Sequence, residues 1–457
     1  MQMKLFSEQR QNEQGQTIIL VAISLVSLLA MAALAIDIVT LYLASSEIQR
    51  AADATALAAA KAIADSGVTT LQATDPNLPG AQTLAQNMAT AAVTGLMSAS
   101  AVNWVAGAAP TLNTITPIPI DWTRQGNPHV TISLRSSNLP TFFSKIWTGT
   151  PPSVTATATA EVYNPANLPT FTPITPLSLK PWLVANADPN NAIQPTPFVD
   201  IGTGAVEENV IGEQLNLIAD CMNSNPNKCL LRGGHNPPKA TRATLEVDYV
   251  PLQVSSPPNS KNVCPACAAG TTDYEHSIAC ADATTYVAPT CGGRVTNGPT
   301  NAVWADTFNP RGIAGLSATG TECLINAGGP GPWDGSTNFQ DQLTIPGWPT
   351  NPPQIKAGSG ALAGNLVTTS SSIVTIPIVD ISMGTGNFPA SPGAVLVVGY
   401  IQAFINQINP VGGPFPAGDI NVTVLNIAGC SDNDNGAIPV IGGSGTSPIP
   451  VRLITPP

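Results

Sequence analysis

Charge is scarce in this chain: Asp, Glu, Lys and Arg make up 10% of 457 residues, against about 25% in an ordinary soluble domain. The 17 basic residues form no cluster. Neutralising phosphates requires clustered Lys and Arg, so the composition argues against nucleic acid as a partner. With 28 acidic residues the net charge is −11, which also argues against adsorption of the bulk of the chain to anionic lipid. Histidine is nearly absent: His129, His235 and His276 stand in unrelated contexts, and no H-E-x-x-H or G-x-S-x-G motif occurs. No hydrolytic centre is legible, and the expectation is a protein that is not an enzyme, with no cofactor and no small-molecule substrate. Cysteine is missing before Cys221.

What is abundant points the other way. Pro (44) and Gly (39) accompany many Ala, Thr, Asn and Ser residues, a profile of extended, turn-rich β structure outside the cytosol. The length allows two or three domains, since one core saturates at about 250–300 residues.

No Gly or Pro interrupts the chain from Gln16 to Ser66, and from Ile18 to Ile36 there is no charge either. At ~1.5 Å per residue the uncharged run spans about 28 Å, close to the ~30 Å of bilayer hydrocarbon. Ile18, Leu20, Leu25, Leu28, Leu34 and Ile36 are its expected lipid-facing residues, and only Ser24 and Ser27 break it. A buried soluble helix of this length would carry a polar stripe. A cleaved signal peptide is the stronger rival, because Ala30-Met31-Ala32 fits the small-x-small rule. Against cleavage, nothing local opens the helix for a peptidase, so a retained anchor is expected. Lys4 and Arg10 precede the span and only Arg50 follows it closely, which favours a cytoplasmic N-terminus.

Beyond Asp37 the residues Leu41, Ala44, Ile48, Ala51, Thr55, Ala58 and Ala62 recur at spacings of three and four. Such a small-residue stripe lets helix backbones approach. Glu47 and Arg50 form an i, i+3 pair off the stripe, and Gly67 is a natural stop. One helix of roughly fifty residues, about 75 Å long, is expected to stand half in lipid and half outside it.

Gly15-Gln16, Ala35-Ile36-Asp37, Tyr42, and Ile48-Gln49-Arg50-Ala51-Ala52-Asp53-Ala54 leading into Ala56-Leu57-Ala58 occur in that order. This segment resembles the N-terminal segment of the TadG-like proteins of the Tad (tight adherence, or Flp) pilus assembly machinery of bacteria. HVTISLRSSNLPTFFSKIW and PSVTATATAEVYN extend the likeness loosely, to about residue 163. VLVVGYIQAFINQI and INVTVLNIAGC are vaguely similar to outer domains of such proteins. Val39 and Thr55 depart from the small residues usual there. Leu20 stands where a processed pilin would have glutamate, which speaks for retention. The resemblance implies a structural component of pilus assembly, single-pass in the bacterial inner membrane with its C-terminal region outside the cytoplasm. Its stem motif is Asp37, Tyr42, Ile48, Gln49, Ala51, Ala52 and Asp53. Its implied partners are the lipid bilayer and, through the stem, other single-span assembly proteins. The alternative is a surface-anchored binding module or adhesin not tied to a pilus.

The expected fold class is α+β: a single transmembrane helix continuing into a pilin-like stem (1–67, span about 18–36), then β-rich extracytoplasmic domains. Residues 68–163 read as a small α+β domain. In it a helix runs from Ala81 to Ala99, with Leu84, Met88, Ala92 and Leu96 on one row. Two strands alternate strictly, Val130 to Arg135 and Val154 to Tyr163. Eight prolines make 164–197 a linker. Residues 198–457 form a β-rich, cysteine-containing region in which SSSIVTIPIVDI, AVLVVGY, DINVTVLNIA and PIPVRLIT read as strands. YIQAFINQI is ambiguous and is assigned to strand.

The eight cysteines, Cys221, Cys229, Cys264, Cys267, Cys280, Cys291, Cys323 and Cys430, are candidate disulfide formers in an oxidising compartment. Cys221 and Cys229 flank a turn and could bridge each other. Cys264-Pro-Ala-Cys267 has the spacing of a redox dithiol or half a zinc site, but neither the helix context nor a second short spacing accompanies it. Asp380-Ile-Ser-Met-Gly384 is similar to the opening of a von Willebrand A metal site, with Gly384 replacing a serine. The Asx-rich turn Ser431–Gly436 lacks the glycine position of a calcium loop. Gly358-Ser359-Gly360 lacks the context of a dinucleotide loop. No metal site is expected.

Overall fold

The computed structural model describes residues 2–99, 104–105, 107, 109–113, 117–141, 149–164, 166, 174–175, 179–189, 196–218, 245–251, 265, 267, 272–280, 294–296, 310–326, 339–380, 394–408, 418–430, 440–441 and 448–454, with only the helical path given for 2–16. It is α+β, with a long apolar N-terminal helix followed by β-rich sheets.

α1 (Gln2–Asp65) is unbroken, as the lack of helix breakers after Gln16 requires. Gly67 stops it with φ at 79°, a left-handed conformation that glycine reaches without strain. A 3-10 turn, Val68–Thr70, follows. α2 (Leu78–Ala99) shares a core with α1. The first sheet holds β1 (Thr111–Leu112), β2 (Ile120–Asp121), β3 (His129–Ser136) and β4 (Val154–Val162).

Further along come β5 (Ile174–Thr175), β6 (Trp182–Ala185), β7 (Gln214–Ile218), β8 (Leu245–Pro251), α3 (Asp273–Ala279), β9 (Arg294–Thr296) and α4 (Pro310–Ile325). After these lie β10 (Gln342–Thr344), β11 (Gln354–Lys356), β12 (Leu366–Val367), β13 (Ile373–Val379), β14 (Ala394–Ile408), β15 (Ile420–Gly429), β16 (Val440–Ile441) and β17 (Val451–Ile454). YIQAFINQI thus lies in a strand, β14, where bulges at Gln402/Ala403 and Ile405/Gln407 blur its period-two pattern.

Six strands run in the order β13-β6-β8-β7-β15-β14, and a further β13–β14 pairing closes them on themselves. Closure leaves the ring without an open edge. Trp182, Val184, Leu215, Leu217, Val247, Tyr249, Ile376 and Val422 belong to its buried core. α3 and α4 contribute Tyr274, Ile278, Ala318 and Leu324 to the same cluster. Tyr249 Oη donates to Ser317 Oγ at 2.8 Å, and Tyr274 Oη lies 3.0 Å from the same hydroxyl.

Proline content misleads at one place. Residues 164–197, expected to be a linker, supply β6, which lies between β13 and β8 in the middle of the ring. Pro181 and Pro189 bracket a proline-free window, and its four strand residues are wholly buried. A proline before a strand removes no ladder hydrogen bond from within it.

The expected division at 163 is crossed as well. β17, from the end of the chain, pairs antiparallel with β4, Val451 opposite Val162 and Leu453 opposite Ala160. Arg452 reaches the carboxylate of Glu161, a buried group whose other neighbour is His129, 3.4 Å away. Asn164 Nδ2 donates to Thr69 O at 3.1 Å and Ile427 O at 3.0 Å, joining the end of α1, β4 and the ring. Trp348 Nε1 donates to Ser66 O at 3.0 Å.

Candidate functional site: the anchor helix and its seat

The two halves of α1 meet different surroundings. From Ile18 to Ile36 the large side chains stand exposed, and among the described residues this is the one helix long and apolar enough to cross a membrane. Even its polar groups are internally satisfied. Ser24 Oγ donates to Val21 O and Ser27 Oγ to Ser24 O, each at 2.8 Å, an arrangement consistent with a membrane-anchoring helix. All six residues expected to face lipid, Ile18, Leu20, Leu25, Leu28, Leu34 and Ile36, are exposed.

From Ala44 onward the helix enters a protein core. Ile48, Ala52, Ala56, Ala59, Ala60 and Ile63 are fully buried in one cluster with Val130, Ile132 and Leu134 of β3 and Ala156, Ala158 and Ala160 of β4. Alternation explains the sheet's side of this contact. Inward apolar residues pair across strands, Ile132 opposite Ala158 and Leu134 opposite Ala156, while the hydroxyls of Thr131 and Thr159 meet on the opposite face, 3.0 Å apart. Alanine on both surfaces leaves room for helix and strand backbones to approach.

The stem therefore does not project as a free stalk, and its small residues are covered by the chain's own sheet and α2. Of the expected stripe Ala44, Ile48 and Thr55 are buried, whereas Ala51, Ala58 and Ala62 are half-buried flanks beside the buried Ala52, Ala59 and Ile63. A repeat read at 3.5 residues drifts by about 20° per heptad on a straight helix. α2 shows the same offset. Ala81, Ala85, Ala89 and Val93 are fully buried because the small residues fit against α1, whereas of the expected row Leu84 is buried, Met88 and Ala92 are half-buried and Leu96 is exposed.

The polar residues of the stem motif pin this arrangement. Gln49 Nε2 donates to Asp53 Oδ1 at 2.8 Å and reaches Thr157 O of β4 at 3.5 Å. Glu47 Oε2 accepts from Val105 N at 3.0 Å rather than turning to Arg50. Asp37 is 2% exposed; the folded head already covers one side of the helix there. Tyr42 is 73% exposed.

Where the stem core meets the ring, the loop before β7 carries an acidic group that sequence spacing did not reveal. Ile211 joins the stem core, and Gln72 Nε2 donates to Val206 O at 2.5 Å. Beside these contacts the carboxyls of Asp188, Glu207 and Glu213 converge. Burial, reinforced by the charges of Asp188 and Glu207, raises the Glu213 pKa to about 8. Burial also raises that of Glu207, whose carboxylate accepts from Thr196 Oγ1. The three share no motif.

The remaining candidates are scattered. Cys267 is bonded to Cys323, with Cα atoms 5.7 Å apart, so the C-x-x-C pair is not a dithiol closed on itself. Cys280 and Cys430 are disulfide-bonded too; Cys221, Cys229, Cys264 and Cys291 lie outside the described residues. His129 sits on β3 and His276 on α3, and His235 is outside the described residues. Asp380 follows β13, donating its N–H to Leu396 O, but the rest of its motif and the turn 431–436 are outside them. Gly358 N–H donates to Asp341 Oδ1 at 2.9 Å and so serves the small β10–β12 sheet.

Residues 15–62 match the family model Tad, described as "Putative Flp pilus-assembly TadE/G-like". The matched segment covers the apolar half of α1 and nearly all of its buried half. None of the curated proteins compared with the chain is similar to it, and neither is any of the solved structures compared.

Proposed function

Taking the TadE/G-like segment at residues 15–62 as the premise, we propose that this protein is a membrane-anchored structural component of Tad/Flp-type pilus assembly in the bacterial envelope. The observation that carries the reading is the coincidence of that segment with a helix exposed over its apolar half and locked into the head over its alanine half. In this reading the protein acts physically and is not an enzyme. The apolar half partitions into the inner membrane, with Lys4 and Arg10 keeping the N-terminus cytoplasmic. The head, held by disulfides suited to an oxidising compartment, lies outside the cytoplasm.

Other single-span assembly proteins are the partners. Because Ala52, Ala56, Ala59 and Ala60 are buried within the chain, contact falls to the exposed half, where Ser24, Ser27 and Ala30 offer small residues at spacings of three. Deleting the gene in the source bacterium is expected to abolish pili seen by electron microscopy. Complementation with the full chain restores them, and a Ser27→Ile, Ala30→Ile double variant restores fewer. Cells that stay fully piliated but lose surface attachment would contradict this reading and favour the adhesin.

A further inference from the structure

Above Ile36 the two sides of α1 diverge within two turns. Asp37 and Ala44 are buried, and Leu41 is half-buried, on the side that continues to Ile48. These positions follow one another at intervals of three and four, so they share one helix face. Ile38, Val39, Tyr42 and Leu43 occupy the opposite face and are 58%, 57%, 73% and 47% exposed. That face bears no charge, and its one polar group is the hydroxyl at the tip of Tyr42. Thr40, between the two faces, returns its hydroxyl to Ile36 O at 2.9 Å.

The uncovered apolar surface of α1 is therefore continuous from Ile18 to Leu43. At ~1.5 Å per residue that is about 39 Å, longer than the ~30 Å hydrocarbon layer and close to the ~40–45 Å of the bilayer with its headgroup regions. The side chains at its upper end are bulky and branched. They offer no small-residue seam for a neighbouring helix, whereas a tyrosine among aliphatic residues suits the boundary between hydrocarbon and headgroups.

We infer that the face formed by Ile38, Val39, Tyr42 and Leu43 is embedded in the outer interfacial layer of the bilayer, so that the head sits directly on the membrane, with lipid on one side of the helix and protein on the other. This rests on the membrane reading of residues 18–36 and extends it. A helix covered on one side only, and longer than the hydrocarbon is thick, accommodates by tilting. Arg50, exposed on the first turns above, is then within reach of lipid phosphate.

The test uses the full chain, folded with its disulfides formed, carrying one added cysteine labelled with an environment-sensitive fluorophore at Leu25→Cys, Tyr42→Cys or Ala54→Cys. All three positions are exposed, so the fold tolerates the label. The protein is placed in phosphatidylcholine/phosphatidylglycerol vesicles, and quenching by iodide is compared with quenching by lipids spin-labelled near the headgroup or deep in the chain. Leu25 is expected to respond to the deep quencher and Ala54 to iodide. Tyr42 is expected to respond to the shallow quencher, with iodide quenching several-fold below that at Ala54. Equal iodide quenching at Tyr42 and Ala54 overturns the inference, and so does a Tyr42 label that neither quencher reaches, which would mean that another protein, such as a second copy of this chain, covers the face. In both cases lipid quenching at Leu25 leaves the membrane span standing, and its absence removes the span as well.

Discussion

The two halves of α1 are both helical and both rich in apolar residues, yet one stands exposed and the other is enclosed along its alanine face. Side-chain size separates them. Ile, Leu and Val crowd the exposed half, which in the proposed function meets a fluid hydrocarbon that conforms to any shape. Alanine dominates the enclosed half, where a β-sheet of fixed geometry must approach closely and interiors are packed to crystal-like density.

The comparison breaks most sharply under charge. Ala56→Asp places an unpaired carboxylate in a closed core and is expected to cost the head roughly 3–5 kcal/mol, read as loss of protease resistance and of the cooperative thermal transition. Leu28→Asp is expected to leave that transition unchanged while weakening membrane retention, since an acid at mid-span costs about 2.5–3.5 kcal/mol of insertion. Added volume gives a smaller contrast. Ala60→Leu overpacks the core shared with β4 and should destabilise the head by about 1–3 kcal/mol in denaturant titrations. Ala32→Leu, on the exposed half, should have no effect on it.

Arg452→Met tests whether the end of the chain belongs to the enclosed half. It leaves the buried Glu161 carboxylate with His129 alone, and because the arginine is half-exposed the expected loss is about 1 kcal/mol. Smallest is a pH effect at the junction with the ring. Glu213 holds its proton up to about pH 8 in the folded head, against an ordinary value of 4.5. The unfolded chain releases that proton first, so the contribution of Glu213 to stability is complete below about pH 4.5 and is lost as pH rises through about 8. Melting temperature should fall over that window, and Glu213→Gln should flatten the slope without altering membrane retention.

Much of α1 was legible in the sequence because its determinants are local. The uncharged run, the missing helix breakers and Gly67 each act on their own neighbourhood, and strict alternation marked β3 and β4. What covers the alanines was not legible. Ala52 shares its core with Ala160 and with Val451 from the last residues of the chain, and periodicity identifies an apolar face without naming its cover. The choice of row held only at its start in α2 for a related reason: Leu84 is buried, but Met88 is half-buried and Leu96 exposed, because the tight contact selected Ala85 and Ala89. β6 was hidden by the prolines beside it. Asp188, Glu207 and Glu213 come together only through the folding of the chain around the ring, which no spacing in the sequence encodes.

In the proposed function one continuous helix is held by lipid over its first half and by its own head over its second. Hydrogen exchange of the full chain in vesicles, followed residue by residue through a denaturant series, tests this directly. Amides 48–63 are expected to lose protection at the same midpoint as β3, β4 and β17, while amides 18–36 remain protected. Exchange at 48–63 that is already fast in the folded protein, or that melts independently of those strands, would contradict it.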